Sequence, residues 1–215
     1  MSIDSCISER GITSVYHFTP QSALIEIVIA GEVRSREALE SSSEWQEGCL
    51  FDFITPPDQL RLDDFRAYIN TSVTRPNIYL LRQFRDRLRE VVDVWCILEF
   101  GSEVLKQSGA IFSVTNAASA ASRSYGIQGG ESGLRNLFRA EVVTEQGRWT
   151  RKGKATSEPT DVQAEALLPG PIPTTAIRAV HFEDKESLVR CMSALAILQL
   201  PSWKDKAFIS PNLFC

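Results

Sequence analysis

The chain has 215 residues, 43% of them hydrophobic and 23% charged, with a formal net charge of -4. That apolar content and low net charge exclude a disordered chain and suit one domain, residues 1–215, with a core of normal size. The apolar runs fall far short of the ~20 residues a bilayer span needs, and the polar N-terminus with Asp4 and Glu9 does not read as a signal peptide.

Residues 13–18 are β-branched and aromatic and predict a first strand. Thr19 and Pro20 then read as the N-cap and first position of a helix that runs to about residue 30 and ends at Gly31. Residues 40–64 have no period, broken by a serine run, Gly48 and Pro56-Pro57, and predict a long irregular segment with one short helix. A strand over residues 67–73, a turn at Pro76-Asn77 and a helix over residues 78–91 follow. The continuous apolar run over residues 94–100 predicts a buried strand, followed by a short helix and a strand near residues 110–114.

Thr115-Asn116 opens a predicted small-residue helix over 117–124. Residues 126–133 hold four glycines and predict irregular chain, and the polar, basic residues 144–161 predict a loop. Strands are expected over 163–168 and 177–182, with a Pro-Gly-Pro turn between them, and a helix over 186–198. No repeat, heptad or internal linker interrupts this order. The pattern is that of an α+β fold with a mixed or mainly antiparallel sheet.

Charge is uneven along the chain. Residues 1–70 carry a net charge of -7, residues 71–154 a net +5 and residues 155–215 a net -2. A basic middle third can hold a polyanion even in an acidic protein. Arg82, Arg85, Arg87 and Arg89 read first as the solvated face of a helix. Cys6, Cys49, Cys96, Cys191 and Cys215 are scattered, with no C-x-x-C, which points to free thiols in a reducing cytoplasm and to no zinc site. Two histidines, His17 and His181, are too few for a multi-histidine metal centre.

P-loop, Rossmann and G-x-S-x-G signatures are absent. Four weaker signals stand out. His17 closes the first strand just before a helix N-terminus, where it can bond a polar ligand or simply serve the fold. Glu165 lies in the strand Gln163-Ala164-Glu165-Ala166-Leu167-Leu168, and alternation sets it on one face with Gln163. A carboxylate there is costly unless used or paired. Arg61, in the run from Asp58 to Asp63, and Arg75 and Asn77, in Thr74-Arg75-Pro76-Asn77, read as site residues or as turn chemistry.

In order, Tyr16-His17-Phe18-Thr19, Arg61, residues 68–77, Asn116-Ala117-Ala118-Ser119 and Gln163-Ala164-Glu165, followed by Leu168-Pro169-Gly170 and Ile172-Pro173, resemble the DarT-type DNA ADP-ribosyltransferase toxins over residues 12–182. The resemblance implies an ADP-ribosyltransferase-like fold, α+β with a split, mainly antiparallel sheet and flanking helices, holding NAD+ as co-substrate without a metal. It implies transfer of ADP-ribose to a base of single-stranded DNA, in toxin–antitoxin or anti-phage biology, with a DarG-like macrodomain protein as antitoxin. Residue by residue, it implies NAD+ contacts by His17, Thr19 and the backbone of Phe18, with Arg34 toward the diphosphate. Glu165 matches the catalytic glutamate, and Arg61 the catalytic arginine, with Arg75 as the alternative. Asn116 lies where the family has a polar residue near the base. Many thymidine-modifying members read Ser-Pro-Met where this chain reads Arg75-Pro76-Asn77, which resembles a guanine-associated branch.

Breaking the bond between ribose and nicotinamide passes through an oxocarbenium-like transition state, which a carboxylate stabilises. An unstacked base favours a single strand. Arg148, Trp149, Arg151, Lys152 and Lys154 then supply cations and an aromatic for backbone tracking and stacking. The alternatives are the same fold acting on RNA or protein, or an inactive nucleic-acid-binding module.

Overall fold

The structure, a computed structural model, describes residues 2–42 and 65–215. The chain opens with helix α1, Ile3–Arg10, capped by the Ser2 hydroxyl on the Ser5 N–H and closed by Gly11 in the left-handed region. The polarity of this segment does not announce a helix; its two caps do. Strand β1, Ser14–Pro20, runs into helix α2, Gln21–Ala30, which Gly31 ends as expected. The expected cap is displaced by one residue: Pro20, not Thr19, is the N-cap, because Thr19 still pairs with Cys96 in the sheet. Strand β2, Glu32–Val33, and helix α3, Arg36–Glu40, follow.

Beyond the undescribed stretch come β3, Ile69–Val73, helix α4, Ile78–Leu88, and β4, Trp95–Gly101. A 3-10 turn over Ser102–Lys106 leads to β5, Ile111–Ser113, and helix α5, Ala120–Tyr125, capped by Ser119. The glycine-rich run is not irregular throughout: it forms β6, Gln128–Gly129, and helix α6, Gly130–Asn136. Gly133 permits this, since a Cβ there would stand 2.0 Å from the Gln128 carbonyl oxygen. Residues 144–150, expected as part of a loop, belong instead to a hairpin, β7 Glu141–Thr144 and β8 Gly147–Thr150. Then come β9, Glu165–Leu168, β10, Ile172–Pro173, β11, Ile177–Phe182, helix α7, Lys185–Ile197, and β12, Ala207–Ile209.

Among the described residues the main sheet has the order β12-β11-β4-β1-β3-β9-β5-β6, antiparallel except where β12 joins β11. Strand pleat divides its side chains between two cores. Val15, Cys96, Leu98, Phe100 and Val180 face a core built with α1, α2, α6 and α7. Tyr16, Trp95 and Ile97 face the other way, under Leu81 and Leu88 of α4 and the C-terminal Phe214.

The sheet is joined narrowly in the middle. β1 matches all seven of its residues to β4, but only Val15 and Tyr16 to β3, opposite Val73 and Ser72. The N-terminal part of β3, from Ile69 to Thr71, instead pairs with β9. β1 and β3 therefore part after Tyr16, and that split positions the site.

Candidate active site

His17 is the first residue of β1 beyond the parting point. Its Nδ1 lies 2.8 Å from the Asn70 carbonyl oxygen of β3, across the split. A carbonyl only accepts, so Nδ1 carries the hydrogen, which fixes the ring's tautomer and orientation. Thr19, two residues on, is buried, and its carbonyl accepts from the Cys96 thiol at 3.4 Å. The Phe18 side chain turns to the α4 side of the sheet, against Phe84 and Trp95. Only the backbone of Phe18 is thus left for a ligand near His17.

Glu165 begins β9 opposite Ser113 of β5. Continuing the β3–β9 register by one residue sets it beside Ser72, the partner of Tyr16. The register therefore brings the backbones of Glu165 and His17 to the same parting point, on strands far apart in sequence. The carboxylate is 3% exposed, and its Oε2 accepts from the Ala117 N–H at 2.8 Å. A buried carboxylate held by a backbone donor is oriented before any substrate arrives. The turn that supplies this donor is itself fixed: Asn116 Oδ1 accepts from the Ala118 N–H at 2.9 Å, and Ser122 Oγ donates to the Ala117 carbonyl at 2.7 Å.

Gln163 does not share a strand face with Glu165, because the strand starts only at Glu165. Gln163 lies in a turn instead, its N–H on Asp161 Oδ1 at 2.9 Å and its amide on Gln146 Oε1 at the tip of the β7–β8 hairpin. Asp161, fully buried, gives no signal in the sequence. Burial raises its pKa, and the Thr115 side chain, the Gln163 N–H and the Lys154 charge offset part of that rise.

Asn77 is the N-cap of α4: its Oδ1 accepts from the Leu80 N–H at 3.1 Å, and its own N–H donates to Ser72 Oγ at 3.1 Å. This seats the start of α4 beside the row that holds Glu165. Arg75 is exposed and paired with Glu158 at 2.8 Å. Arg34 is paired with Glu32 at 2.9 Å, just after α2, and no other predicted site residue among the described residues bonds to it. Arg61 lies outside the described residues.

The basic segment divides in two. Arg148 is 70% exposed beside Glu141, Lys152 is exposed and Lys154 half-buried. Arg151 differs from the expectation of a free phosphate contact. Its guanidinium donates to the carbonyls of Glu158 and Ala155, and sits over Phe138, so it braces the loop that follows the hairpin. Trp149 packs edge-on against Tyr79, with centroids 6.5 Å apart. Ser72 and Ser113 carry no local signal in the sequence, because their places come from register across strands, and Tyr79 carries none because its neighbour Trp149 lies on a distant hairpin.

A sequence profile described as "DarT: ssDNA thymidine ADP-ribosyltransferase" matches residues 16–214. The chain belongs to the DarT family. Membership makes it an NAD-dependent ADP-ribosyltransferase of single-stranded DNA. No curated protein sequence matches it significantly.

Solved DarT structures share the fold. Thermus sp. 2.9 DarT in complex with NAD+ aligns with a TM-score of 0.59 at 11% identity, over 94% of this chain and 98% of that one. The same protein in complex with ADP-ribosylated ssDNA gives 0.63 at 11% identity, over 95% and 97%. Thermosipho africanus DarTG in complex with ADP-ribose gives 0.57 at 15% identity, over 94% of this chain and 50% of that one. At these identities the likeness shows the fold, and it bears out the split, mainly antiparallel sheet expected from the sequence. Among the described residues no helix is long and apolar enough to cross a membrane, and no His, Cys, Asp and Glu group could hold a metal ion.

Proposed function

We propose that NAD+ binds where β1 and β3 part, with its nicotinamide end at His17, the Phe18 backbone and Thr19, and its diphosphate toward Arg34. Glu165 acts on the ribose beside the nicotinamide. The glycosidic bond breaks, nicotinamide leaves with the bonding electrons, and the carboxylate stabilises the positive charge that develops on the sugar. A base nitrogen attacks the same carbon, and its proton passes to solvent water. Arg61, or Arg75, polarises the base, and Asn77 and Asn116 contact it. Arg148, Trp149, Lys152 and Lys154 track the strand, with Arg151 bracing them. No step calls for a metal.

The observation that carries this reading is the oriented, buried Glu165 on a strand that the register sets level with the break in the sheet where His17 begins. The base is thymine, as the family description reads, or guanine, as Arg75-Pro76-Asn77 implies. A cytoplasmic toxin restrained by a macrodomain antitoxin completes the proposal; Thermosipho africanus DarTG, bound to ADP-ribose, supports a partner of that kind. The test is to incubate the protein and NAD+ with homopolymeric DNA and RNA oligonucleotides and to weigh the products. Addition of one ADP-ribosyl group to a single DNA homopolymer names the base. Labelling of RNA or protein alone returns the fold to its alternative substrates, and absence of any transfer to a mere binding module.

A further inference from the structure

Two aromatic side chains are exposed among the described residues, Tyr79 and Phe208. Phe208 sits on β12, the far edge of the main sheet. Tyr79, 43% exposed, stands in the first turn of α4, two residues after the cap that bonds Ser72 beside Glu165. Its ring meets Trp149 edge-on at 6.5 Å, and Trp149 belongs to the hairpin whose tip bonds Gln163, two residues before Glu165. The pair thus bridges two elements that are each anchored next to the catalytic carboxylate.

The surroundings are those of an acceptor-rich, anionic ligand. Two N–H donors here, Asn77 Nδ2 and Trp149 Nε1, are buried without a hydrogen-bond partner among the described residues. Asn77 is only 2% exposed, and its other amide atom is already spent on the Leu80 N–H, so what it offers is a donor alone. Buried donors in native proteins are normally paired, so an orphan beside a site points to a missing ligand. Arg75 and Arg148, both largely exposed and paired with Glu158 and Glu141, lie at the chain positions next to these groups.

We infer that Tyr79, backed by Trp149, is a stacking platform for an unpaired base of the DNA strand that neighbours the modified nucleotide. The inference rests on the proposed reading of the site. Tyr79 presents a face to the base, and Trp149 fixes the ring's tilt.

The experiment measures binding of a labelled single-stranded deoxyoligonucleotide by the full chain, for wild type, Tyr79→Ala and Tyr79→Phe. It then repeats the measurement on oligonucleotides in which one position at a time is abasic. Tyr79→Ala should weaken binding by about 5- to 100-fold, while Tyr79→Phe keeps wild-type affinity. NAD+ affinity should be unchanged in both. One abasic position should erase the difference between wild type and Tyr79→Ala, because the base that stacked is gone. Equal binding by wild type and Tyr79→Ala, or a loss that persists at every abasic position, would overturn the platform and leave the active site standing. Failure of the wild type itself to bind single-stranded DNA would overturn the proposed function with it.

Discussion

Replacing Glu165 by Gln separates the charge of the site from its shape. The carboxamide oxygen introduced by Glu165→Gln can still accept from the Ala117 N–H, which meets Oε2 at 2.8 Å in the wild type, so the turn at Asn116 keeps its anchor. The negative charge disappears, and the second carboxylate oxygen becomes an amide N–H donor. If that charge acts on the oxocarbenium-like transition state, NAD+ affinity changes little and the transfer rate falls by about 10²–10³, or about 2.7–4 kcal/mol of barrier. Glu165→Ala provides the contrast. It leaves the buried Ala117 N–H unpaired, at a cost of about 1–3 kcal/mol. For a chain of 215 residues that lowers Tm by about 2–4 °C per kcal/mol. The assay pairs the rate of ADP-ribose transfer to a DNA oligonucleotide with calorimetric NAD+ binding and a melting curve. A Glu165→Gln protein that modified DNA at close to the wild-type rate would refute the assignment. So would one that became inactive only because it no longer bound NAD+.

His17→Ala should raise the apparent Kd for NAD+ by roughly 3- to 10-fold, the worth of one hydrogen bond, while leaving DNA binding unchanged; titration with NAD+ in the presence of a chelator reads both the affinity and its independence of metal. Neutralising Arg148, Lys152 and Lys154 together should reduce the salt slope of single-strand binding by roughly 0.7 for each phosphate released, about 2 in all, whereas Arg151→Ala should chiefly lower Tm through the carbonyls it braces. An unchanged slope in the triple variant would remove this segment from the DNA path. Asp161 has its pKa raised in the folded state by burial, so its favourable contribution is complete below the unfolded carboxylate pKa and is lost as pH rises through the folded value. Asp161→Asn should therefore flatten the fall in stability over that window, and denaturant melts at stepped pH would show an unchanged fall if Asp161 is not its source.

What was legible in the sequence is what local chemistry dictates. β1, α2, α4, β4, β9 and α7 follow from apolar runs, caps and breakers that each sit within a few residues. The α1 caps at Ser2 and Gly11 are equally local, although the polarity of the segment masks them. The β7–β8 hairpin is not readable by composition, because only Val142 of its paired residues is buried, and what pairs the strands is the turn before Gly147. His17 and Glu165 could be named from the family resemblance. Their common place at the parting point could not, since it depends on β1 changing from full pairing with β4 to a two-residue contact with β3. The same holds for Gln163, where strand alternation begins two residues later than the pattern suggests and a side-chain bond to Gln146 decides the geometry. Residues whose work is done across strands leave no period to detect.

The most direct test of the account is to incubate the wild-type chain with NAD+ and a mixed-sequence single-stranded DNA, digest the product to nucleosides and locate the adduct. The account predicts one ADP-ribosyl group joined to a base nitrogen, released nicotinamide in equal amount, and both products formed about 10²–10³-fold more slowly with Glu165→Gln. Nicotinamide release with no modified nucleoside, or an adduct on phosphate or on the protein, would contradict it.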